Sequence, residues 1–324
     1  MRGGRVGPGR SARTPVAAAR RSRRLAVDGT DRPFDPAMLI HLHIPKNAGT
    51  SLGRAIKWRL LTRPPWNLPR HASVLGFYFV PRFERRADRF RAASPAQRRR
   101  CRYFEAHCGW GADERLGVEA RVVTWLREPV DRTLSVYFHQ REQGHIRDDL
   151  PIESWIDAAP PATHWHVDEG QVRHLAGERG GILDVPVGEV TRAHLELAKR
   201  RLGQCFFVGT VERFAESAML FGEALGWHRW AVGWSNRTAS RRAVEEISPA
   251  VRERIEARTR LDDELHRHAT ALLEGRIASS GPDHAERLEA FLRRSERAHA
   301  RWGRWQGRLR SARGFAQRLG VGRG

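Results

Sequence analysis

Short apolar runs and longer stretches of helical spacing alternate along this chain. The first run, MLIHLHI at 38–44, repeats every second position. Ile40, Leu42 and Ile44 fall on one face and His41 and His43 on the other, the pattern of a β-strand. The two histidines read as structural members of their face. From about Thr50 to Leu61 the chain reads as a helix, ended by PPWNLP at 64–69. Proline lacks a backbone donor and clashes with the preceding turn. RYFEAH at 102–107 predicts a second strand, with a turn beginning at Gly109 and Gly111. ARVVTWL at 120–126 predicts a third, stopped by Pro129. VDRTLSVYFHQRE at 130–142 continues as a helix, on length and flanking signals rather than a clean apolar face. Residues 204–227 repeat the order of strand, glycine turn and amphipathic helix. A long helical stretch covers 244–275, where Ile247, Val251, Ile255, Leu261 and Leu265 lie near helical spacing.

Strands alternating with helices predict an α/β fold, a three-layer αβα arrangement around a central parallel sheet. Residues 38–275 carry this pattern. Residues 1–37, rich in Gly, Arg, Ala, Pro and Ser, read as a disordered basic arm. Residues 276–324 read as a basic amphipathic helical tail, with a sparse stripe of Leu288, Phe291, Leu292, Trp302, Trp305, Leu309 and Phe315. Such a tail either packs on the domain or lies on an anionic membrane surface.

The formal net charge of +21 suggests an anionic partner. Nearly all of the basic residues are arginine, so a coding bias toward arginine accounts for part of it. Lys46, Lys57 and Lys199 are the only lysines, which makes each more informative. No recognised nucleic-acid motif is present, so no specific nucleic-acid partner is expected. Cys101, Cys108 and Cys205 form neither a disulfide framework nor a CxxC zinc pair, which suggests a reducing compartment. No apolar run reaches the roughly 18 residues that span a bilayer. The amino-terminal region lacks the apolar run of a secretory signal. A cytoplasmic location is expected, with peripheral membrane contact through the tail as an option.

Two segments carry candidate chemistry. In HIPKNAGTS at 43–51 a strand enters a glycine turn and then a helix, which makes an anion site from backbone N–H groups and the helix dipole. Ala48 and Gly49 allow close approach, Thr50 and Ser51 offer hydroxyls, and Lys46 precedes the turn. A nucleotide-triphosphate loop instead places lysine after its last glycine. In LREPVDRTLS at 126–135, Arg127 falls at a strand end, where ligands of open α/β sheets bind, and Ser135 follows on the next helix. An arginine where a triphosphatase would hold Mg²⁺ with aspartate favours a second anionic group over a metal nucleotide.

Together, HIPKNAGTS and LREPVDRTLS resemble the sulfotransferases that use 3′-phosphoadenosine 5′-phosphosulfate (PAPS), and most closely the heparan sulfate 2-O- and 6-O-sulfotransferases and their bacterial relatives. FFVGTVERFAES and DEGQVRHLAG are similar to further segments of that group, so the resemblance covers about residues 38–275. It implies a P-loop-like phosphosulfate loop from Lys46 through Asn47, Ala48, Gly49 and Thr50 to Ser51, a 3′-phosphate site at Arg127 and Ser135, and no metal. Lys46 would neutralise charge on the leaving phosphate oxygen. The family more often has threonine where this chain has Asn47.

The acceptor hydroxyl must lose a proton as it attacks sulfur, and histidine is the usual base. His107 lies between the two motifs and resembles the family's base. Glu105, on the same strand face by alternation, is either the base instead or the group that orients the imidazole. WSNRTASRR at 234–242, with Arg237, Arg241 and Arg242, can close over the 3′-phosphate or acceptor, or is a solvated loop. THWHVDEGQVRH at 163–174 offers a tryptophan face for a sugar. The expected activity is sulfuryl transfer to a hydroxyl of a glycan or glycolipid. The rivals are a Mg²⁺-dependent P-loop kinase or NTPase, and a non-catalytic polyanion or membrane binder whose affinity would fall steeply with salt.

Overall fold

The computed structural model describes residues 38–61, 83–158, 164–233 and 247–318, with side chains in the last segment described to Arg301. Residues 1–37, PPWNLP, Arg237, Arg241 and Arg242, and the side chains of Trp302, Trp305, Leu309 and Phe315 lie outside the described set.

The elements run β1 (Met38–Leu42), α1 (Gly49–Leu61), α2 (Phe83–Ala92), α3 (Pro95–Arg100), β2 (Tyr103–Ala106), α4 (Ala112–Leu116), β3 (Ala120–Leu126) and α5 (Pro129–Glu142). They continue with α6 (Ile152–Ala158), α7 (Gly170–Ala176), α8 (Arg192–Gln204), β4 (Phe207–Thr210), α9 (Phe214–Ala224), α10 (Pro249–Arg258), α11 (Arg260–Ala278) and α12 (His284–Arg318). The four strands form one all-parallel sheet, in the order β2-β1-β3-β4, flanked by helices.

Alternation along the strands divides the core. Ile40, Leu42, Phe104, Leu126 and Val208 belong to one buried cluster. Leu39, Tyr103, Val123, Trp125 and Phe207 belong to another. Both faces of the sheet are thus covered by helices, as parallel sheets require. The chain leaves β1 toward β2 on one side and β3 toward β4 on the other. The carboxyl ends of β1 and β3 therefore flank the point where the connections diverge, the position of ligand crevices in open α/β sheets.

Three features differ from the sequence pattern. The glycine expected to turn the chain after the fourth strand, Gly209, lies inside β4. There it makes room for Trp125, whose indole nitrogen would stand 2.3 Å from a Cβ at that position. The stretch 244–275 is not one helix: α10 and α11 meet at Thr259, which leaves the helical region (φ −134°, ψ 25°). The break is stabilised from outside, because the Glu169 carboxylate accepts the N–H groups of Leu261 (2.9 Å) and Asp262 (2.6 Å) and so starts α11 afresh. Asp262 returns the contact at the start of α7, accepting from Gln171 N (3.0 Å) and Val172 N (2.7 Å). Finally, the boundary at 275/276 falls within α11, and α12 begins against the core. Phe291 is fully buried and packs on Trp230, with ring centroids 6.3 Å apart.

Among the described residues no helix is long and apolar enough to cross a membrane.

Candidate functional site

The loop from Ile44 to Ser51 leaves β1 and enters α1 with two non-glycine residues in the left-handed region, Lys46 (φ 69°) and Ala48 (φ 59°). Asn47 between them does not share it. Such alternation turns successive N–H groups toward one concave side, where an anion fits. Each left-handed residue costs about 1–2 kcal/mol, so the surroundings must hold the loop. Asn47 does so: its side chain is buried and donates from Nδ2 to Trp125 O and to Gln171 Oε1, both at 2.8 Å.

Gln171 is the centre of this clamp. Its Oε1 also accepts from Arg127 N (3.0 Å), and its Nε2 donates to Arg127 O (2.8 Å). Arg127 in turn donates from Nη1 to Lys46 O (3.2 Å) and pairs with Asp131 (3.3 Å). The two sequence motifs are thus joined through backbone and side chain at the carboxyl ends of β1 and β3. Burial and the Arg127 charge lower the Lys46 pKa. The helix that follows, α5, starts on Pro129 with Glu128 as its cap, accepting from Val130 N (3.0 Å) and Asp131 N (2.6 Å). Ser135 lies almost two turns along α5 and is buried. Thr50 is partly exposed and Ser51 is buried, both in the first turn of α1.

Beside the loop stands a group of ionisable residues that the register brings together. His41 pairs with Glu105 across β1 and β2. The Glu105 carboxylate lies 3.3 Å from His43 Nδ1, 3.7 Å from His41 Nδ1 and 2.7 Å from Lys57 Nζ on α1. Burial alone would raise the Glu105 pKa, but the His43 hydrogen bond and the charges of His41, His43 and Lys57 hold it well below the usual carboxylate range. His41 is fully buried against Tyr103 OH (3.1 Å), and desolvation pushes its pKa down to about 3. The rings of His41 and His43 stack at 5.2 Å, and that of His107 meets His43 edge to face at 4.6 Å. Burial, then the neighbouring His43 and His174, lower the His107 pKa well below the ordinary value.

Helix α1 closes over this group with glycines one turn apart. A Cβ on Gly49 would come within 2.0 Å of His43 Nε2, and one on Gly53 within 2.5 Å of the Glu105 carboxylate. The missing side chains let two charged or polar groups sit directly under the first two turns.

Of the histidine-rich segment, His166 and Trp165 form part of a short 3₁₀ turn, with Trp165 within 5.4 Å of the His174 ring. His174 is buried with Nδ1 on Gly170 O (2.6 Å), and burial pushes its pKa down to about 3. Arg132, wholly buried, donates from Nη1 to His166 O (3.2 Å).

The structure therefore brings Lys46, Asn47, Ala48, Gly49, Thr50, Ser51 and Arg127 to one loop cluster, with Glu105 and His107 adjoining it through His43. The sequence pattern did not single out Gln171 or Lys57, and it treated His43 as part of the strand face. The available signal was the alternation itself, which puts His41, His43, Glu105 and His107 toward the same ends of two strands. Among the described residues no three His, Cys, Asp or Glu side chains converge as metal ligands. Compared with known proteins, the chain matches no family model and no curated protein.

Proposed function

We propose that this protein is a PAPS-dependent sulfotransferase acting on a hydroxyl of a carbohydrate or glycolipid, within a three-layer αβα fold. The observation that carries the reading is the hydrogen bond from Arg127 Nη1 to Lys46 O, which unites the phosphosulfate-type loop and the 3′-phosphate-type arginine at the divergence point of the sheet. Two linked anion-binding elements suit a ligand with two separate anionic groups.

In the proposed step the acceptor oxygen attacks sulfur while the bond from sulfur to the 5′-phosphate oxygen breaks. Sulfur passes in line between the two oxygens. The acceptor proton goes to His107, and charge developing on the leaving phosphate is met by Lys46 and the loop N–H groups. The lowered pKa of His107 keeps its imidazole neutral and able to accept a proton near neutral pH. The arriving anion would raise its basicity, because a nearby negative charge favours the imidazolium. Trp165 supplies an aromatic face close to the histidines for the acceptor.

The test is calorimetric binding of 3′-phosphoadenosine 5′-phosphate (PAP), the expected product, without Mg²⁺ and with ATP as competitor. Metal-free binding that Arg127→Ala weakens at least tenfold supports the assignment. Absence of binding overturns it, and preference for ATP with Mg²⁺ overturns it in favour of a nucleotide triphosphatase or kinase.

A further inference from the structure

The geometry points to a further function for His43 and Glu105: a dyad, locked to α1 by Lys57, that positions the ring of His107. The inference rests on the reading of His107 as the base. Glu105 Oε2 is taken by Lys57 Nζ at 2.7 Å and Oε1 faces His43 Nδ1 at 3.3 Å. An ionised carboxylate only accepts, so in the neutral His43 ring the proton sits on Nδ1 and Nε2 is left bare. That tautomer directs the bare nitrogen toward Gly49, where a Cβ would stand 2.0 Å away. The ring is wedged between the loop and His107, which it meets at 78° and 4.6 Å.

Each part of the chain is fixed by the next. Lys57 stands one turn beyond Gly53 on α1, and Gly53 gives Glu105 the room to reach it. Glu105 holds one edge of the His43 ring, and that ring forms a wall beside His107. Other ionisable groups around His43 are His41, stacked behind it at 5.2 Å, His174 on α7, whose electrostatic influence reaches it, and the buried Cys108 thiol, which hydrogen-bonds to the His43 backbone. The Nδ1 of each histidine is engaged elsewhere, that of His41 with Tyr103 OH and that of His174 with Gly170 O. A carboxylate that orients one imidazole, which in turn limits the rotation of a second, preorganises the base at no cost during the reaction. Glu105 and His43 act through His107 and are positioning residues.

The experiment is long-range ¹H–¹⁵N spectroscopy of the ring nitrogens in the full chain, with and without PAP. In the wild type, His43 is expected to carry its proton on Nδ1 and His107 to show a single tautomer. In the double variant Lys57→Met/Glu105→Leu, which removes the ion pair as a unit and leaves no buried charge, His43 is expected to move its proton to Nε2 and His107 to become a tautomer mixture. A wild-type His43 protonated on Nε2 overturns the dyad even if the double variant fails to fold. So does a folded double variant in which His107 keeps its wild-type tautomer and titration. Loss of PAP binding in the wild type would instead remove the sulfotransferase reading and leave the His43 tautomer as measured.

Discussion

Arg127 Nη1 donates to the carbonyl of Lys46 across 81 residues of chain, at 3.2 Å. The bond makes the arginine part of the loop's scaffold as well as a candidate ligand for phosphate. Its fork serves two directions at once, with Nη2 turned to Asp131. Lysine offers a point charge on a flexible stem and cannot reproduce that fork. Arg127→Lys is therefore expected to lose PAP affinity almost as fully as Arg127→Ala, by at least tenfold. Calorimetry of the two variants side by side checks this, and full rescue by lysine would reduce the role of Arg127 to its charge.

The clamp around Gln171 makes a second prediction. Gln171→Ala would leave one N–H of Asn47 Nδ2, which keeps only Trp125 O, and the half-buried backbone N–H and C=O of Arg127 without their partner. Each unsatisfied buried group costs about 1–3 kcal/mol, so the variant should lose roughly 3 kcal/mol in urea unfolding. Asn47→Thr restores the residue more usual in the resembled family. Here it should destabilise by about 1–3 kcal/mol, because a hydroxyl cannot donate to both Trp125 O and Gln171 Oε1. Asn47 and Gln171 are thus a matched pair in this chain.

Much of this was legible in the sequence. The runs at 38–44, 102–107 and 120–126 contain β1, β2 and β3, because period-two alternation survives burial on both faces. The loop was legible from its glycine and hydroxyls. The clamp was not, since Gln171 lies 124 residues from Asn47 and 44 from Arg127, and the likeness of DEGQVRHLAG to a family segment does not say which of its residues reaches the loop. The break at Thr259 was hidden for the same reason: its stabilising carboxylate, Glu169, comes from another helix start. His43 read as a strand residue because only the β1–β2 register and the glycine face of α1 reveal its partners.

The two glycines of α1 give a third prediction with an internal control. Alanine in a helix interior gains about 1 kcal/mol over glycine. Gly275, in α11, has open space where a Cβ would go, so Gly275→Ala should stabilise by about that amount. Gly53→Ala must instead displace the Glu105 carboxylate, and Gly49→Ala the His43 ring. Overpacking of this kind costs about 1–3 kcal/mol, so both should show a net loss in urea unfolding. A stabilising Gly53→Ala would mean that α1 does not press on Glu105.

Stability should peak near pH 6.5, because two sets of buried groups pull in opposite directions. His41 and His174 have pKa values of about 3 in the folded protein, against an unfolded value of about 6.5. Between those values the unfolded chain binds more protons, so stability falls as pH drops, by about 1.4 kcal/mol per pH unit for each histidine. Glu105 adds to the acid loss further down: its lowered pKa gives stability that is present above about 4.3 and lost as pH falls toward its folded value. Glu169 has the opposite sign. Burial and the charge of Asp262 raise its pKa to about 8. From about 4.3 up to that value the folded state retains a proton that the unfolded chain has released, so stability falls as pH rises. Up to about pH 6.5 the buried histidines outweigh Glu169, and above it they no longer oppose the loss that Glu169 brings. Urea unfolding at a series of pH values should show this dome. His174→Asn keeps a donor for Gly170 O and should flatten the acid limb, whereas Glu169→Gln should flatten the alkaline limb and steepen the acid one between about pH 4.3 and 6.5, where Glu169 opposes the histidines. An alkaline limb that persists in Glu169→Gln would exclude the contact between α7 and α11 as its source.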